Sequence, residues 1–179
     1  MTQQVTDQAL TINDLTVSLS RRQATADIFS EWTWLIGPEK RPLRLAACGG
    51  VFVEDSRDGV VHFLDVSAVQ LSYVAESPEA FERLLSQPAL FDAYLCSERV
   101  ARLRRHGLLL KQDQIYSLRV PLSLGGDVSV ENTEIADIDV HFSIAGQIEC
   151  QIANTPVGTQ IGHVVINQVR RPTPWWKFW

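Results

Sequence analysis

Hydrophobic and polar positions alternate almost without a break through residues 137–152, DIDVHFSIAGQIECQI. Ile138, Val140, Phe142 and Ile144 share one parity; Asp137, Asp139, His141 and Ser143 share the other. A period of two predicts a strand with one buried face. Gly146 interrupts it. A turn at residues 145–147 sets Ile144 opposite Ile148, Phe142 opposite Cys150 and Val140 opposite Ile152, so one face is wholly apolar. A slip of one residue mixes the faces. The stretch therefore reads as a β-hairpin. Its polar side, carrying Asp139, His141 and Gln151, is either wet or covered by something polar.

Other stretches follow different periods. Within ADIFSEWTWLI, Ile28, Trp32, Leu35 and Ile36 recur at helical spacing, and Gly37-Pro38 stops the helix. VFVEDSRDGVVHFLD reads as a hairpin turning at Asp58-Gly59, and LSYVAES extends it into a meander. Ser77-Pro78-Glu79 opens a helix that buries Phe81, Leu84 and Leu85. ALFDAYL gives a second short helix. Ser97 caps a third, which carries Val100 and Leu103 and ends at Gly107. IYSLRVPLSL is a strand pinned at Pro121, GGDVSVENTE a loop or short hairpin, and GTQIGHVVINQV a last strand.

Strands, then helices, then strands predict a single α+β domain with a largely antiparallel β-sheet and a cluster of short helices. The chain divides into a polar lead-in (1–25), the domain itself (26–169) and an aromatic C-terminal tail (170–179). Within the lead-in, ALTINDLTVSL fits a short helix or an extended segment equally well.

Composition narrows the function. The 179 residues are 45% hydrophobic and 21% charged, enough for a real core and too apolar for disorder. The net charge of −5 argues against generic nucleic-acid binding, which needs surplus Lys and Arg. Cys48, Cys96 and Cys150 are scattered and form no C-x-x-C, which reads as buried thiols in a reducing cytoplasm. No secretory signal pattern opens the chain, and no stretch approaches the roughly 20 apolar residues of a membrane span. The expected location is the cytoplasm.

Candidate chemistry is sparse. On a strand, Asp139 and His141 would be neighbours about 7 Å apart, too far for a direct proton-transfer bond. The hairpin carboxylates Glu54, Asp55 and Asp58 lack calcium-loop spacing; they suit a turn and an acidic rim for a partner. Gly125-Gly126-Asp127 reads as a bulge or tight loop. RVARLRRHG places cations in a helix's last turn, where they complement the helix dipole. Phosphate-loop, dinucleotide, nucleophile-elbow and zinc-helix signatures are absent, so no catalytic residue, metal or cofactor is expected. PWWKFW puts Trp175, Trp176, Phe178 and Trp179 in the tail. Such a cluster can fold back over a groove, anchor a partner or attach weakly to a membrane surface.

Three stretches, GGVFVEDSRDGVVHFLD, QIYSLRVPLSLGGD and VHFSIAGQIECQIANTPVGTQIG, resemble a bacterial domain-of-unknown-function family. That family includes the C-terminal domain of an immunity protein to a type VI secreted DNase toxin. The resemblance spans roughly residues 26–166 and is most specific at HFSIAGQI, at residues 155–158 and at the Gly-Gly before Asp127. It implies a protein-binding module that inhibits a toxin by occlusion, with no catalytic residues to carry over. The aromatic tail falls outside it, and the resemblance implies that the immunity protein's separate N-terminal module is either missing or reduced to the first 25 residues. Two alternatives stand beside this reading: an enzyme built on Asp139 and His141, and an assembly subunit docking through its tail.

Overall fold

The computed structural model describes residues 10–18, 28–87, 93–156 and 158–167. A four-residue helix α1 (Ile12–Leu15) leads directly into β1 (Thr16–Val17), so the early segment is helix and strand in succession. β1 starts a five-stranded antiparallel meander with β2 (Lys40–Ala46), β3 (Val51–Asp55), β4 (Val61–Asp65) and β5 (Gln70–Ala75), in sequential order. The predicted hairpin and its third strand are both present. Phe52 pairs with Phe63 and Val53 with His62 across the β3–β4 ladder.

The meander is buried on both faces, and parity shows why β3 is apolar at successive positions. Val51 and Val53 point to a cluster with Leu45, Leu64, Trp32 and Phe142. Phe52, Val61 and Phe63 point to a second cluster with Phe81, Leu95, Val100 and Leu103. Two layers cover the sheet, so the strand needs no polar face.

One helix starts where capping chemistry predicts. Ser77 Oγ accepts the Ala80 N–H at 3.2 Å and Pro78 opens α3 (Pro78–Leu84), the next described helix after the short α2 (Thr33–Ile36). The predicted helix over residues 26–36 is shorter, a 3-10 turn (Ser30–Trp32) running into α2, and Gly37 ends it. ALFDAYL lies largely outside the described residues. In α4 (Ser97–Arg105) the N-cap position falls on Cys96 rather than Ser97, with no side-chain cap hydrogen bond, and Arg102, Arg104 and Arg105 occupy its last turn.

A second, two-stranded sheet pairs β6 (Gln114–Leu118) with β7 (Thr133–Asp137). The strand predicted around Pro121 stops at Leu118, and a 3-10 turn (Leu122–Leu124) follows the proline.

The largest correction concerns the alternating stretch. Residues 138–153 form one helix, α5 (Ile138–Ala153), with no turn at 145–147. Its buried positions, Ile138, His141, Phe142, Gly146 and Glu149, follow helical spacing. Three of its buried residues, His141, Gln147 and Glu149, are polar, which disguises that face in the sequence. Gly146 serves close packing: an added Cβ would stand 2.7 Å from Glu31 Cβ and 2.8 Å from the Glu31 carbonyl oxygen. Trp32 Nε1–H donates to the Phe142 carbonyl at 2.9 Å, joining α5 to the 3-10 turn. The last predicted strand is also absent, since residues 158–167 have no regular structure apart from a turn. Among the described residues no helix is long and apolar enough to cross a membrane.

Candidate partner-binding site

The chain between β6 and β7, residues 119–132, is a long connection with its own internal architecture. Asn132 closes it. Its carboxamide oxygen accepts the Val120 N–H at 3.0 Å, while its amide group donates to the carbonyls of Val120 (2.9 Å) and Asp127 (2.7 Å). Gly126 N–H donates to Pro121 O at 2.9 Å. Asp127 Oδ1 accepts from the Ser129 backbone (3.0 Å) and hydroxyl (2.5 Å), and these bonds lower its pKa. Gly126 approaches Val120 so closely that an added Cβ would collide with the Val120 carbonyl.

Two anchors tie this loop to the helices. Ser123 Oγ–H donates to Glu149 Oε1 of α5 at 2.7 Å. Glu149 is only 4% exposed, and burial raises its pKa against the opposing effect of that hydrogen bond. Arg102 of α4 donates to the Val128 carbonyl at 3.0 Å. The internally bonded loop then presents Val120, Leu122 and Val128 to solvent at 45%, 37% and 44% exposure. Asp127 and Glu131 on the same loop are also exposed, and an Arg119–Glu134 ion pair (3.1 Å) ties its start to β7. A preordered loop that exposes apolar and charged side chains is suited to docking a protein, because little conformational entropy remains to be lost.

The residues singled out in the sequence are dispersed. Asp139 and His141 are two apart on a helix, about 200° around its axis, so they do not converge. His141 is not on a wet face. It is 7% exposed, between Ser117 Oγ (2.9 Å from Nδ1) and the Gly49 carbonyl (3.1 Å from Nε2). Burial, only partly offset by the Gly49 hydrogen bond, lowers its pKa to about 4, so the imidazole is neutral. Gln151 is exposed and holds both the N–H (3.1 Å) and the carbonyl (2.8 Å) of Val165; neighbouring Gln147 accepts from Asn167 N–H at 2.7 Å. These two amides fasten the irregular segment 158–167 to α5.

Of the hairpin carboxylates, Asp55 is buried. It accepts from Lys40 Nζ (2.7 Å), from Arg57 Nη2 (2.7 Å) and from Arg57 Nε (3.0 Å). These partners, Arg57 foremost, hold its pKa well below the usual carboxylate range. Glu54 lies 3.8 Å from Arg41, and exposed Asp58 accepts the Val60 N–H at 3.0 Å. Trp175, Trp176, Phe178 and Trp179 lie outside the described residues.

Sequence reasoning missed the apolar group. Val120, Leu122 and Val128 look like strand and bulge residues, and only the Gly125-Gly126 pair hinted at a special backbone. The cysteines also depart from expectation: Cys48 is buried, Cys150 intermediate and Cys96 exposed.

No curated protein matches the chain. Among solved structures, one described as Atu4351 from Agrobacterium tumefaciens aligns with a TM-score of 0.52 at 20% identity, covering 67% of this chain. The chain spans 62% of that protein's length. That likeness concerns the fold. Residues 75–149, which run from the end of β5 through the loop and into α5, match the family described as T6SS immunity protein Tdi1, C-terminal, the immunity family that the sequence resembles.

Proposed function

We propose that this protein is an immunity-type inhibitor that binds a type VI secreted toxin and occludes its working surface, without catalysis of its own. The observation that carries this reading is the family match over residues 75–149, which contains the whole of the ordered loop. Val120, Leu122 and Val128 form the apolar centre of contact, and Asp127 and Glu131 form part of an acidic rim. A toxin that grips nucleic acid presents a basic surface, which a chain of net charge −5 complements. Glu54 and Asp58 add acidic groups on the β3–β4 hairpin, and the aromatic tail supplies a further anchor, since Trp residues dominate binding hot spots. The site of action in this reading is the cytoplasm.

The test is co-expression with a type VI toxin of the kind that the matched family neutralises, taken from the gene neighbourhood of this chain where one is encoded, scored by growth protection and by co-purification. Protection, a stable complex weakened by salt, and a loss of affinity of at least about tenfold in a Leu122→Asp/Val128→Asp variant are expected. Removing residues 172–179 measures the tail's share. Absence of both complex and protection overturns the reading; a complex unaffected by the double variant overturns the assigned surface.

A further inference from the structure

The two edges of the meander are built differently. β1, at one edge, has two residues, and β2, which runs on beyond it, carries Lys40, Arg41, Pro42 and Arg44. Charges, proline and short edge strands are the usual devices that keep a sheet from pairing with another chain. β5 (Gln70–Ala75), at the other edge, has none of them. Its sequence is QLSYVA, inside a run of uncharged residues from Val66 to Ala75. Among the described residues no backbone group other than those of β4 pairs with it. Alternate residues of such a strand turn their N–H and C=O groups outward, which makes the free side a template for a further strand.

The pairing surface is regular. The ladder with β4 runs unbroken from Gln70 to Tyr73. Tyr73 and Ala75 then oppose the consecutive residues His62 and Val61, so Val74 bulges. Leu71 and Tyr73 share a face. Leu71 packs in part against the cluster that holds Leu64, whereas Tyr73 is 61% exposed, its ring in a T-shaped contact with His62.

We propose that β5 pairs antiparallel with β5 of a second copy of this chain, about a two-fold axis at Ser72, so that two meanders join into one continuous sheet. Charge selects this occupant. Each copy carries a net charge of −5, so two copies approach best along an edge that bears no charge, while a basic toxin finds no acidic group on β5 to complement. The strand is also self-complementary, as a two-fold interface requires. With Ser72 opposite itself, Leu71 stands opposite the partner's Tyr73 and Tyr73 opposite the partner's Leu71, two apolar cross-strand pairs. A shift of one residue mixes the faces. Moving the axis to Leu71 sets Tyr73 opposite Val69, which lies outside the strand at φ 54°. The dimer does not rest on the toxin-binding reading, since β5 shares no residue with the loop at 119–132.

The test is sedimentation equilibrium of the full chain in dithiothreitol, from about 1 to 100 µM. The mass is expected to rise to twice that of the chain, with a dissociation constant on the order of 10 µM or tighter. Ser72→Glu and Ser72→Lys each set like charges opposite one another at the axis. Each should weaken the dimer by about tenfold or more and keep the native circular dichroism spectrum, and an equal mixture of the two should dimerise again. Tyr73→Lys, at the exposed position, should weaken it as well; if the Ser72 variants fail to fold, this variant decides. A monomer at every concentration, a mixture that stays monomeric, or a dimer indifferent to Tyr73→Lys overturns the proposal. A dimer that survives Ser72→Glu and is lost when residues 172–179 are removed overturns it too, and assigns self-association to the tail.

Discussion

The imidazole of His141 reaches the carbonyl of Gly49, 92 positions earlier in the chain, at 3.1 Å. A carbonyl only accepts, so Nε2 carries the hydrogen, and Nδ1 accepts from the Ser117 hydroxyl at 2.9 Å. One neutral side chain on α5 thereby holds both the β2–β3 turn and β6.

That arrangement sets a pH dependence. The folded pKa of His141 lies near 4 against 6.5 ordinarily, so the unfolded chain takes up the proton first as pH falls. The stabilisation is fully present above pH 6.5 and gone once pH has fallen through about 4. The difference amounts to roughly 3 kcal/mol. Urea midpoints measured between pH 7.5 and 4 should fall for the native chain and stay flatter for His141→Asn. Equal slopes would remove His141 as the cause.

Asp55 acts in a lower window. Its carboxylate, held ionised by Arg57 and Lys40, has a pKa below the ordinary 3.8. Its contribution is present at neutral pH and disappears as pH drops below that value. Asp55→Asn is expected to lower stability at pH 7 and to lose the native chain's extra sensitivity to acid in this range. Thermal melts at pH 7 and pH 3 check both effects, and an unchanged melt at pH 7 would contradict the role assigned to this cluster.

Gly146→Ala sets helix propensity against packing. Alanine gains about 1 kcal/mol in a helix interior, yet its Cβ would crowd Glu31 and come 2.9 Å from Trp32 Nε1. Overpacking against backbone costs about 1–3 kcal/mol. Denaturant unfolding should therefore show a net loss on the order of 1 kcal/mol. A more stable variant would mean that the 3-10 turn at residues 30–32 moves aside freely.

Gly126→Ala and Asn132→Ala strike the loop and leave both core clusters intact. The first forces Gly126 away from the Val120 carbonyl, and the second removes the carboxamide that spans the loop. Both variants should keep their circular dichroism spectrum and, with the toxin proposed as partner, lose affinity by about tenfold or more. Retained affinity in both would show that preorganisation of the loop contributes nothing to binding.

The sequence by itself determined the meander and the α3 cap. Asp58-Gly59 between two apolar runs, and Ser77 before Pro78, are local signals whose partners lie within a few residues. It also determined the α+β class and the family resemblance carried by the Gly-Gly turn and HFSIAGQI. The alternating stretch exposes the limit of such reading. A period of two was visible because the helix buries polar residues, and their partners lie far off: Gly49 for His141, Ser123 for Glu149. Only tertiary structure decided that α5 is a helix. Only tertiary structure separated Asp139 from His141 and exposed Val120, Leu122 and Val128 on a braced loop. The physical reason is the same in each case. Periodicity records which side chains share a face, whereas burying a polar group requires a particular partner from another part of the chain.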